Sequence, residues 1–244
     1  MNASSSRREF LADVSRATVA AAVGTSLASE LGLAPAFAGD APAKLDFGSV
    51  EPLVRVMQET PANKLLPILA AKLQSGTDLR QLTAAAALAN ARTFGGEDYI
   101  GFHTMMALSP AYQMSRELSS AQQALPVFKV LYRNTNRIQE FGGPAKEVLH
   151  PIKPGASGES QPGGEAIRDA VRKKDTKGAE QMLAAIAQRS PEDAFNSVLL
   201  AVQGHSEVHR VVMPYRAWDL LDVVGRQHAA TMLRQSVHYC VRGS

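Results

Sequence analysis

Thr77-Asp78-Leu79-Arg80-Gln81-Leu82-Thr83-Ala84-Ala85-Ala86-Ala87-Leu88-Ala89-Asn90-Ala91-Arg92-Thr93 reads as one helix, and the chain around it follows the same pattern. Thr77 and Asp78 offer side-chain oxygens to the first free backbone N–H groups, and the alanines and leucines that follow favour the helix. Outward from this stretch, apolar residues recur at three- and four-residue spacing in segments rich in Ala, Leu, Met and Gln. The spacing predicts helices over 62–74, 77–93, 98–117 and 120–140, then over 164–174, 177–189, 191–203, 205–222 and 225–241. Strand signals are almost absent. The fold class is therefore all-α, a compact helical bundle.

Thr60-Pro61 and Ser190-Pro191-Glu192 give two more helix starts. Residues 142–163 hold most of the turn punctuation, including Pro144, Pro151, Pro154 and Pro162, and divide an N-terminal helical half (39–141) from a C-terminal one (164–244). The two halves are expected to share one domain. Across the linker, Ile68-Leu69-Ala70-Ala71-Lys72-Leu73-Gln74 aligns with Met182-Leu183-Ala184-Ala185-Ile186-Ala187-Gln188. Further on, His103 aligns with His209, and Tyr112 with Trp218. The halves are either a duplicated four-helix unit or two sets of Ala/Leu-rich helices that match by composition.

The net charge of +3 on 244 residues is too mild for a nucleic-acid partner or a polybasic membrane patch. The basic run Arg172-Lys173-Lys174-Asp175-Thr176-Lys177 reads as a solvated helix end. Cys240 is the only cysteine, so no internal disulfide staples the chain and stability rests on packing. There is no CxxCH for haem, no GxGxxG, no Walker loop and no GxSxG elbow, and hence no haem, flavin or NAD signature. The methionines sit at apolar helical positions and read as core filling.

Six histidines carry the chemistry, and four of them (His205, His209, His228 and His238) fall in the last forty residues. His205 and His209, four apart on an expected helix, present two rings on one face, the spacing by which a helix offers two nitrogens to one ion. If the halves pack about a pseudo-twofold axis, His103 meets them. Glu97, Asp98, Glu207 and Asp219 are candidate carboxylates, although Glu207, two residues from each histidine, points off their face and suits Arg210 better. The metal set is His103, His205 and His209, with His228 and His238 as further candidates, for a single Fe, Zn or Cu ion. The competing reading of each histidine is a buried ring that satisfies a backbone carbonyl. His150, before Pro151, reads as exposed. Tyr112, Tyr132, Arg216 and Trp218 are candidate substrate-pocket residues, with an Arg216–Asp219 pair as the structural alternative.

The N-terminus adds a compartment. Ser6-Arg7-Arg8-Glu9-Phe10-Leu11 runs into an apolar segment from Ala17 to Leu33, and Ala36-Phe37-Ala38 supplies a small-x-small cleavage site. Residues 1–38 resemble the signal of twin-arginine (Tat) exported proteins. The resemblance implies passage through the Tat translocase in a folded state, cleavage before Gly39, a periplasmic or extracellular location, and a mature form not embedded in the membrane. Together these features point to an exported, histidine-liganded metalloprotein of oxidoreductase or oxygenase type. The alternative is a non-enzymatic helical binding module for an exported partner or a small-molecule ligand.

Overall fold

A computed structural model describes residues 43–155, 163–203 and 207–243. The signal-like segment, with Arg7, Arg8, Ala36 and Ala38, lies outside the described residues, as does His205. From Lys44 onward the chain is one compact unit. Ten α-helices build it and, among the described residues, there is no strand: α1 Glu51–Glu59, α2 Ala62–Gln74, α3 Leu79–Phe94, α4 Tyr99–Glu117, α5 Ala124–Phe141, α6 Gly163–Arg172, α7 Thr176–Arg189, α8 Pro191–Gln203, α9 Val208–Val224 and α10 Ala229–Arg242. The all-α bundle read from the sequence is the observed fold. No helix among the described residues is long and apolar enough to cross a membrane.

Capping side chains set five of the ten helix starts. Asp78 accepts from the Gln81 N–H while Gln81 returns a bond to the Asp78 N–H, a capping box that places the start of α3 at Leu79. Asp98, Asp175 and Glu207 cap α4, α7 and α9, and Ser190 accepts from the Asp193 N–H at the head of α8. α1 went unread in the sequence. It is short, and two of its polar residues, Glu51 and Gln58, turn inward and thin its apolar face.

α3 is the axis of the molecule. Every residue from Leu82 to Phe94 is buried, and α1, α4, α5, α9 and α10 all pack on it. Its alanines let those neighbours approach closely, and its polar residues are paired. Asn90 donates to the Gly101 carbonyl at 2.8 Å and to Asn134 Oδ1 at 2.7 Å. Arg92 bonds Glu51 at 2.9 Å and meets Glu147 at 3.3 Å. The front of the 142–163 linker is built into this core: the N–H groups of Val148 and Leu149 both donate to the Arg92 carbonyl, and Leu149 is fully buried.

Part of the helix packing recurs in order, although α6–α7 and α7–α8 pack on each other and α1–α2 and α2–α3 do so little. α1 packs on α3 and α5, α2 on α5, α3 on α4 and α5, and α4 on α5. Five helices later, α6 packs on α8 and α10, α7 on α10, α8 on α9 and α10, and α9 on α10. Each half holds five helices, as the sequence reading had it for the second half; in the first half α1 is added to the four read there. α4 and α9 occupy matching places and pack on each other.

Candidate metal centre

The α4–α9 contact brings His103 and His209 together, with Nε2 3.3 Å from Nε2. His103 stands on the second turn of α4, and its Nδ1 lies 2.6 Å from the Tyr99 carbonyl. A carbonyl only accepts, so that nitrogen carries the hydrogen and donates it. His209 stands on the first turn of α9, and its Nδ1 lies 2.6 Å from Glu207 Oε1. Burial pushes the Glu207 carboxyl up. The backbone N–H and ring of His209, the backbone N–H of Arg210 and the Tyr239 hydroxyl outweigh that and hold its pKa at about 2. Glu207 is therefore an anion that accepts from the His209 Nδ1–H. The two Nε2 atoms face each other across a gap of 3.3 Å.

The gap has the right width. Two metal–nitrogen bonds of about 2.0–2.1 Å at a tetrahedral angle set their nitrogens about 3.4 Å apart. Each ring is held from behind by an oxygen acceptor, the usual support of a metal-bound imidazole. Aromatic rings frame the pair: Phe102 stacks on His103 at 4.8 Å, Tyr99 lies 4.4 Å from the same ring, and Tyr239 reaches Glu207 Oε2 at 3.1 Å. Among the described residues no group of three or more His, Cys, Asp or Glu side chains is placed to hold an ion, and the histidine pair stands without a third such side chain.

The remaining candidates are placed elsewhere. The helix expected from residue 205 begins at Val208, because Glu207 is extended (φ −133, ψ 146) and folds its carboxylate back to accept from the His209 and Arg210 N–H groups. The helix that carries His209 therefore starts one residue before it, and His205 lies outside the described residues. The same bend turns Glu207 onto the His209 ring, not away from it as the helical spacing suggested. His238 has both ring nitrogens occupied, Nδ1 by Glu97 at 3.0 Å and Nε2 by Glu180 at 2.6 Å. His228 lies outside α10, in a short 3-10 turn after Gly225, edge-on to Phe47 at 5.6 Å. His150 is half-buried and its carbonyl accepts from Arg234 at 2.9 Å. Asp98 is held by Arg137 at 2.6 Å, and Asp219 by Arg216 at 2.9 Å.

The four expected pocket residues do not form one pocket. Tyr112 lies nine residues, about 14 Å, along α4 from His103, in a cleft with Leu73 and Arg116. Arg216 opens on a second cleft with Ser109 and Gln113. Trp218 stacks on Phe195 at 4.8 Å, and Tyr132 is exposed on α5. Sequence reasoning passed over Tyr99, Phe102 and Tyr239 as site residues. The aromatic i, i+4 pairing of Tyr99 with His103 was the one signal available for them. Compared with known proteins, the chain matches no protein-family model, no curated protein and no solved structure.

Proposed function

We propose that this chain is an exported metalloprotein in which His103 and His209 hold one transition-metal ion through Nε2, with open positions for substrate. The observation that carries this reading is the 3.3 Å Nε2–Nε2 separation, with both Nδ1 atoms committed to oxygen acceptors. Imidazole nitrogen suits iron, copper or zinc. An ion held by two rings and otherwise accessible fits oxidoreductase or oxygenase-type chemistry, for which the ion would be iron or copper. The twin-arginine-like segment supports export in the folded, metal-loaded state.

Metal content and metal titration test this. Protein purified without a tag or chelator should carry, or take up one-to-one, a transition metal. His103→Ala and His209→Ala should each abolish that uptake while keeping the helical circular-dichroism signal. Uptake equal to the parent in both variants would sink the reading and favour a helical binding module.

A further inference from the structure

Well away from the histidines, the ends of α2, α3, α4 and α5 enclose a cleft of 410 Å³, within the range of about 300–1,000 Å³ usual for small-molecule sites. Leu73, Leu79 and Tyr112 form its apolar wall, each partly buried against the core. Its charge is unbalanced. The lining acid, Asp78, is spent on the helix cap, accepting the Gln81 N–H at 2.7 Å. Arg80 is steadied by donating Nη2 to the Asp222 carbonyl at 2.7 Å, which leaves donors of its fork unused. Arg116 is exposed at the rim, and no hydrogen bond or ion pair among the described residues engages its guanidinium.

We propose that this cleft binds a small organic acid with a flat or short apolar body. Its carboxylate pairs with Arg116 and Arg80, and its body lies on Tyr112, Leu73 and Leu79. A guanidinium fork matches a carboxylate in two parallel hydrogen bonds, and the apolar wall takes the body of the acid. A neutral amide of the same shape loses the charge and should not compete. The site is separate from the metal pair and stands without it.

Calorimetric titration of the full chain with benzoate and with octanoate, against benzamide as the neutral control, tests the assignment. At least one acid should bind saturably and one-to-one, benzamide should not, and added salt should weaken the binding. Arg116→Gln should lower affinity about tenfold, the loss of one charge-assisted pair. Arg116 is exposed and unpaired, so this variant should melt at the parent temperature. His209→Ala should bind the acid as the parent does. Absence of saturable binding for both acids, equal affinity in Arg116→Gln, or loss of binding in His209→Ala would overturn the proposal.

Discussion

At Glu207 one oxygen accepts the backbone N–H groups of His209 and Arg210 while the other takes the His209 ring. The same carboxylate thus starts α9 and fixes the tautomer of a candidate ligand. Glu207→Ala should lower stability by about 1 kcal/mol through the lost cap and weaken metal affinity by about 10- to 100-fold. Glu207→Gln, which keeps one acceptor oxygen, should recover the cap but not the support of the His209 ring, read by urea unfolding and metal titration. If Glu207→Ala costs stability alone, the carboxylate is only a cap. His103 and His209 were legible because they align in register between the halves. Glu207 was not, because its role depends on leaving the helix at the very residue where spacing arguments assume it continues.

At the scale of elements, α3 and its exit turn hold the two sides of the bundle together. Gly95 ends the helix in the left-handed region (φ 54). Gly96 follows at φ 82, pressed against the Gln235 carbonyl of α10. A methyl group at Gly96 would meet that carbonyl and strain the backbone as well. Gly96→Ala should therefore destabilise by about 1–3 kcal/mol, measured by urea unfolding. A loss of a few tenths would mean that the turn and α10 separate freely. Helix identity was legible because propensity and caps are local. That α3 would be buried on every side was not, since an Ala-rich helix also suits a solvent-facing role. α1 was hidden because Glu51 and Gln58 read as surface residues until Arg92 is in place beside them.

Across the whole molecule, one ionic network ties α10 to α7 and to the α3–α4 turn. Burial opposes a charge on His238, but Glu180 and Glu97 outweigh it and raise its pKa above the ordinary 6.5. Arg234 shares Glu180, and Arg242 pairs with Glu97. A raised folded-state pKa means that the stabilisation is complete below the unfolded value of about 6.5 and is lost as pH climbs through the raised value. Glu180 works in the opposite sense. Burial raises its pKa, but His238 and Arg234 outweigh that and hold it below 4.5, so its share is lost in acid. Melting temperature should thus fall as pH rises above about 6.5, and His238→Gln should flatten that fall. An undiminished slope in the variant would assign the dependence to other groups.

The sequence by itself determined the all-α class and most of the helices. Those follow from local propensity, capping and residue register. Only the tertiary structure decided which rings meet. Packing α4 against α9 set His103 Nε2 beside His209 Nε2, packing of α10 gave both ring nitrogens of His238 to carboxylates, and Tyr112, Tyr132, Arg216 and Trp218 ended on separate surfaces. Those outcomes depend on where helices bend and cross, which the order of residues along any one helix does not contain.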